Sequence, residues 1–431
     1  MSKEENRKNF SKYVSQNILG MIGFSCYVLA DSYFISIAKG ADGLTALNLV
    51  MSLYSIIFSI GEMIGVGSAI RYAISKIKKD ADADDYFWNA LIWCIMSSMI
   101  FVFAGIFFSA DIMRVLGADE HIVAVGNNYT KIFMCFAPMF MCNYVTNAFV
   151  RNDGAPGIAM SATLFSSLFN IVFDYILMFP MNLGMEGAAL ATALSPIIGM
   201  GICSIHFFSK KSSVRLVVCK PSVRKLVAGS QLGVSAFVGE MSSAVITLAF
   251  NFVILKLAGN VGVAAYGVVA NIAIVTTAVF NGVAQGSQPL ISSCFGRGDK
   301  DGCTQLKRMG YTTAFVLAAV MYSILFIFAG QFVAVFNSEG SEMLRLYATE
   351  GVKLYFIGIF FAGINIVGGG AFSATEDAFK AAVVSVARGF VLILGAVFVM
   401  SALFGMTGVW LAYAVAEGIT TFIMLVMVLR V

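Results

Sequence analysis

Five carboxylates, Asp31, Glu62, Asp174, Glu240 and Glu417, sit inside runs of sequence that are otherwise apolar enough to cross a bilayer. A charged side chain at the centre of such a span costs about 2.5 to 3.5 kcal/mol on insertion scales, so each needs a partner or a task. The nearby cations Arg71, Lys131 and Lys256 fall toward span ends, where long side chains snorkel to the interface. An acid left without a base in a low-dielectric setting takes up a proton or collects a cation. Asp174 follows Asn170 by one helical turn, which puts an amide and a carboxylate on one face. The chemistry expected here is reversible binding of H+ or Na+.

The elements that must position these acids are membrane helices. Of 431 residues, 59% are hydrophobic and 12% charged, about half the charge of an ordinary soluble domain. Twelve apolar runs are expected to span, near 14–37, 46–70, 87–109, 127–149, 158–180, 187–208, 229–255, 263–288, 311–335, 352–373, 382–404 and 408–429. The fold class expected is all-α integral membrane. Most of the 28 Lys and Arg residues, among them Lys76, Lys78, Lys210, Lys211, Arg151, Arg388 and Arg430, fall on one side if the N-terminus is inside. The positive-inside rule then places both termini in the cytoplasm. The first apolar run is expected to be a retained anchor, being too long for a cleaved signal. Eight cysteines without a Cys-x-x-Cys pair, and two histidines without metal-ligand neighbours, point to neither disulfides nor a zinc site.

The chain repeats itself. LGMEGAALATA at 183–193 aligns without gaps on FGMTGVWLAYA at 404–414, and GLTALNLV at 43–50 answers GVAAYGVV at 262–269. An even number of duplicated spans keeps the same orientation, so two six-helix bundles related by a pseudo-two-fold axis along the membrane normal are expected. The divisions are an N-lobe at 1–208, a basic cytoplasmic connector at 209–225 and a C-lobe at 226–431.

With those motifs in place, the chain resembles the multidrug and toxic compound extrusion (MATE) transporters. The carriers are LADSYFIS, GADGLTALNL, NIVFDYILMF, LGMEGAALATA, GVAAYGVVANI and GVAQGSQPLISSCFGRGD. The resemblance implies a secondary transporter that exports drugs or other amphiphilic small molecules by admitting H+ or Na+, and not an enzyme. It implies a coupling-ion pocket at Asp31, Asn170, Asp174 and Thr192, where the oxygens suit Na+ as well as a proton. If span one packs on span five, Asp31 and Asp174 titrate as a coupled pair. Glu62 and Glu240 are candidate cavity acids; Glu417 is equally a packing residue. Arg71 and Tyr72 depart from the family pattern, and span ten carries Asn365 but no mid-span carboxylate. Both the missing acid and the N-lobe pocket favour the DinF-like bacterial arrangement. Gly368, Gly369 and Gly370 are expected either to bend span ten or to allow close packing.

Further expectations are no cofactor beyond the coupling ion, no nucleic acid, a monomer in the lipid bilayer, and a place in the bacterial cell membrane. Two other readings remain. One is a flippase for lipid-linked oligosaccharide or cell-wall precursors, although that cleft needs cations for pyrophosphate. The other is an intramembrane prenyltransferase, from the aspartates of KKDADADDYF at 78–87; the alternative for that segment is a solvated, charge-balanced loop.

Overall fold

The computed structural model describes residues 3–336 and 340–429, and Arg430 lies outside the described residues. Those residues form helices and short connections. α1 (Lys3–Lys78) contains a left-handed Gly40 that divides it into limbs Lys3–Gly40 and Asp42–Lys78. It is followed by α2 (Asp85–Val115), α3 (Glu120–Cys135), α4 (Ala137–Asn152), α5 (Pro156–Met178) and α6 (Gly184–Phe207). α7 (Val223–Gly296) is broken at the left-handed Gly259. α8 (Lys300–Ile327), α9 (Ala329–Phe336), α10 (Glu342–Tyr355) and α11 (Ile359–Ala374) come next. α12 (Ala378–Val386) passes through a π turn, Ala387–Val391, into α13 (Leu392–Leu429), which is broken at Gly405.

Nine helical stretches of the described residues are long and apolar enough to cross a membrane, counting the limbs of α1 separately and α10 with α11 and α12 with α13 as one each, and ten if the pair α3 and α4, bent by 46°, is one span. Dividing the 74-residue helix Val223–Gly296 and the 51-residue stretch Ala378–Val428 at their left-handed glycines brings the ten to the twelve expected. The chain is a multi-pass membrane protein. Helix starts have local causes: Asp119, Asp299 and Asp377 accept from the backbone N–H groups of Ile122, Gly302 and Lys380, and prolines occupy the first turns of α4 and α5.

The repeat seen in sequence recurs in the backbone. Left-handed residues fall at Gly40 and Gly259, Lys79 and Gly298, Gly117 and Gly340, Gly154 and Glu376, and Gly184 and Gly405, at nearly constant separation along the chain. Left-handed backbone is steeply disfavoured for residues with a Cβ, so this spacing is a record of repeated turn geometry rather than of composition. Lys79 and Glu376 keep the conformation without the glycine.

Two large apolar cores follow the halves, one running from Ile35 to Leu232 and the other centred on residues 250–416. They exchange their leading segments: Phe10 and Val14 pack in the second core, Leu232 in the first. The crossings are backbone to backbone. A Cβ on Gly286 would lie 2.8 Å from the Val14 Cα, one on Gly282 2.6 Å from the Ile18 Cα, and Gly67 and Gly233 face the backbones of Gly229 and Met63. These crossings close the end of the bundle that carries the basic loops. Around them Arg71 pairs with Glu376, Lys78 approaches Glu376 at 3.5 Å, and Gln305 donates to the Lys3 carbonyl at 3.0 Å.

The segment between α6 and α7 does not hang free. Asp153, its side chain 2% exposed, accepts from Tyr72 (3.1 Å), the His206 ring (2.8 Å), Ser212 (3.2 Å) and Ser213. The aspartates of 78–87 are not a solvated loop throughout: Asp84 binds Lys76 at 2.7 Å and the Arg215 N–H at 3.2 Å, while Asp85 pairs with Lys225. Their task is to hold the connector. Nor do Gly368, Gly369 and Gly370 bend the tenth span. They are buried within a continuous α11, with Gly368 against Met424 and Gly370 against Gln288, and the irregular turn lies earlier, at Phe356–Gly358.

If the glycine crossings carry the closure, Gly286→Val should destabilise by about 1–3 kcal/mol or more, because the new methyls meet backbone that cannot rotate away. Gly239→Ala, where nothing lies within 4 Å, should be neutral or stabilise by about 0.5–1 kcal/mol. Thermal unfolding of the purified variants in detergent, followed by tryptophan fluorescence, checks both.

Candidate functional site

The coupling-ion residues expected from sequence converge. Asp31 comes from the first limb of α1, Asn170 and Asp174 from α5, and Thr192 from α6; all four are buried. Asn170 faces the Thr192 hydroxyl at 3.1 Å. Oriented with its amide nitrogen toward Asp174, it donates to Asp174 Oδ2 at 3.1 Å and its oxygen accepts from the Thr192 N–H at 3.2 Å and hydroxyl at 3.1 Å. Asp31 and Asp174 interact electrostatically, and each leaves its Oδ1 buried without a hydrogen-bond partner. Pro196 adds to the pocket. It cannot donate to the carbonyl one turn earlier, which is that of Thr192, and the Ser195 hydroxyl takes the vacancy at 3.1 Å.

Beside the pocket lies a cavity of about 110 Å³, lined by Glu62, Glu240, Arg151, Gln285 and a set of aromatic rings. Glu62 and Glu240 thus reach the same space from the second limb of α1 and the first limb of α7. Tyr54 stacks on Phe133 with ring centroids 4.7 Å apart, and Phe58 meets Tyr144 at 5.4 Å. Tyr27, which lines the cavity, shares a 2.6 Å hydrogen bond with Tyr54 and feels the charges of Asp31, Asp174 and Glu240. It therefore joins pocket and cavity. A polar chain crosses between the halves: Gln285 donates to Glu62 at 3.2 Å and accepts from Arg151 at 2.7 Å, and Arg151 approaches Asn17 at 3.5 Å.

Two arginines correct the charge picture drawn from sequence. Arg151, assigned to an inner loop, is buried in α4 as the single Lys or Arg among the described residues lining the cavity. Arg388, also assigned to the inner side, sits in the π turn and binds Glu417 at 2.6 Å. Glu417 is consequently neither free nor a lone packing acid: Asn365 donates to its Oε2 at 2.7 Å, and Thr421 donates to Asn365 at 3.0 Å. The membrane interior is acidic but not uniformly short of bases. Sequence reading missed Arg151, Gln285, Tyr27 and Tyr54; for Gln285 the polar residue in GVAQGSQPL was a usable signal.

The C-half counterparts of the pocket carry no such chemistry. Following the repeat, Asp31 corresponds to Phe250 and Thr192 to Tyr413. Phe250 stacks on Tyr266 at 5.0 Å and Tyr413 on Tyr355 at 4.3 Å, so rings fill the equivalent volume.

Duplicated helical halves around a polar intramembrane cavity define a membrane transporter rather than an enzyme. A family model described as MatE matches residues 17–176 and again 236–399. The chain belongs to the MatE family, and the paired match follows the internal repeat. It is 27% identical over 414 residues to the multidrug export protein MepA of Staphylococcus aureus strain MRSA252, covering 93% of this chain and 89% of that protein. It is 26% identical over 405 residues to MepA of Staphylococcus saprophyticus, with the same coverage. Among solved structures it superposes with TM-score 0.92 and 20% identity on an outward-facing multidrug resistance MATE transporter of the MOP superfamily, covering 99% and 96% of the two chains. It superposes with TM-score 0.90 and 19% identity on a MOP superfamily transporter from Pyrococcus furiosus described as having a binding pocket of reverse polarity, covering 98% and 95%. Those two likenesses are of fold.

Removing one member of a buried ion pair strands the other. Glu417→Gln should therefore cost about 3–5 kcal/mol, whereas Arg388→Met with Glu417→Leu should recover most of that loss. Melting temperatures in detergent decide it: a double variant no more stable than the single one would contradict the pairing as the cause.

Proposed function

We propose that the protein is a cation-coupled antiporter that exports amphiphilic, often cationic, small molecules by alternating access. The observation that carries this reading is the pair of buried, unpartnered oxygens on Asp31 and Asp174. Asp31, Asn170, Asp174 and Thr192 bind the coupling ion, either a proton shared by the carboxylates or Na+ held by carboxylate, amide and hydroxyl oxygens. Ion entry neutralises the pocket, and Tyr27 passes the change to the ring-lined cavity. There Glu62 and Glu240 offer negative charge to a cationic cargo, and the aromatic rings offer cation-π contact. The working units are lobes 1–208 and 226–431 linked by 209–225, acting as a monomer in the cell membrane with both termini cytoplasmic. No cofactor is needed.

One proton moving down 100 mV supplies about 2.3 kcal/mol, enough for roughly a fifty-fold gradient of a neutral cargo. Electroneutral exchange of one proton for one monovalent cation draws on the pH gradient alone. The MepA relatives are named as multidrug exporters, which supports the cargo class. The flippase reading is weaker, since the single cavity cation, Arg151, is already engaged by Gln285 and cannot meet a pyrophosphate without breaking that bond.

Ethidium transport by proteoliposomes under an imposed pH or Na+ gradient tests the proposal. Asp31→Asn and Asp174→Asn should each bring transport to the level of empty liposomes, and wild-type transport indifferent to both gradients would refute it. Thr192→Val separates the ions: it should raise the Na+ concentration needed for half-maximal rate if Na+ is coupled, and leave a proton-driven rate nearly unchanged.

A further inference from the structure

A second recess lies far from the carboxylate pocket, between residues 7–18 of α1 and residues 308–317 of α8. It is a groove of about 520 Å³ on the flank of the bundle. Both helices start at the basic end and run the same way, so their lining residues read as a gradient. Arg7 and Arg308 stand at the rim, Ser11 and Thr312 one turn deeper, and Val14, Ile18 and Leu317 below them. Arg7 to Ile18 spans roughly 16 Å of helix and Arg308 to Leu317 roughly 14 Å, at about 1.5 Å per residue. One leaflet of hydrocarbon is about 15 Å deep.

From this gradient we infer that the groove is a binding site for one anionic phospholipid. The phosphate lies between the guanidiniums of Arg7 and Arg308, the ester region meets the hydroxyls, and an acyl chain follows the apolar floor. Several features of the groove favour this occupant over chance exposure. Neither guanidinium has an ion-pair partner among the described residues. No carboxylate is among the described residues lining the groove, so its rim is uniformly positive. Guanidinium is also the side-chain group best matched to phosphate oxygens, and basic recesses between membrane helices on the cytoplasmic side recognise anionic headgroups. α1 and α8 belong to opposite halves of the repeat, so a lipid seated here bridges the seam that the glycine crossings close. Its assignment to the cytoplasmic leaflet rests on the orientation proposed above; the binding itself does not depend on transport.

Native mass spectrometry of the full chain, delipidated in detergent and titrated with phosphatidylglycerol or phosphatidylcholine, tests the site. Wild type should bind one phosphatidylglycerol in clear preference to phosphatidylcholine. Arg7→Gln with Arg308→Gln should weaken phosphatidylglycerol binding roughly thirtyfold, while Lys210→Gln with Lys211→Gln in the connector leaves it intact. A double arginine variant that keeps the preference overturns the proposal. So does displacement of the lipid by millimolar inorganic phosphate, which would mark a phosphate site without use for the apolar floor. Because the readout is lipid occupancy, a failure here is distinct from a failure of the antiport reading.

Discussion

The rest of the structure depends on one constraint: inside hydrocarbon a carboxylate must be given partners by the protein itself. The chain meets that demand in two different ways. Glu417 is met by Arg388 and Asn365. Asp31 and Asp174 receive less, each keeping an oxygen with no donor. A satisfied acid is fixed in one charge state, because releasing it would strand its partner. An unsatisfied one is free to change state when an ion arrives, and on that difference rests the proposed assignment of Asp31 and Asp174 as the switch.

Duplication explains why the proposed switch is one-sided. Both halves turn the chain at matching places, with left-handed residues recurring from Gly40 and Gly259 to Gly184 and Gly405, so the backbone offers the same recess twice. Side chains then diverge. In the first half the recess holds two carboxylates, an amide and a hydroxyl; in the second it holds Phe250, Tyr266, Tyr355 and Tyr413 in stacked pairs. Rings give rigidity and burial without a carboxylate. Near them Glu417 is neutralised by Arg388 of the π turn, which reaches across to the limb of α13 that follows Gly405.

Much of this was legible in the amino-acid sequence because its signals are local or periodic. Apolar runs gave the spans, the alignment of 183–193 with 404–414 gave the repeat, and Asn170 beside Asp174 gave a shared face. What stayed hidden were partnerships between residues distant along the chain. Gln285 reaches Glu62 across 223 residues, and Arg71 reaches Glu376 across 305. Charge counting also treats every arginine near a span end as a loop residue. Arg151 and Arg388 escape that rule because each finds a polar partner on another helix, which lowers the cost of staying inside. The acidic run at 78–87 was misleading for the opposite reason: its composition is that of a solvated loop, but Lys76, Arg215 and Lys225 turn it into a clamp.

The closure at the basic end is the contact that the proposed alternating access must open. Its centre is backbone against backbone, where glycines let α1 and α7 approach closely, and it is flanked by Phe10, Val14 and Leu232 packed into the opposite core. The polar links at the rim, Arg71 with Glu376 and Gln305 with Lys3, are partly exposed and exchange readily for water. The chain from Glu62 through the half-buried Gln285 to Arg151 joins two buried charged groups across the halves. It is therefore a contact whose breaking requires compensation, and in the proposed mechanism a charge change in the adjoining cavity supplies it. The ion pocket, the cavity acids and the closure are thereby joined by a single requirement, that no buried charge be left alone.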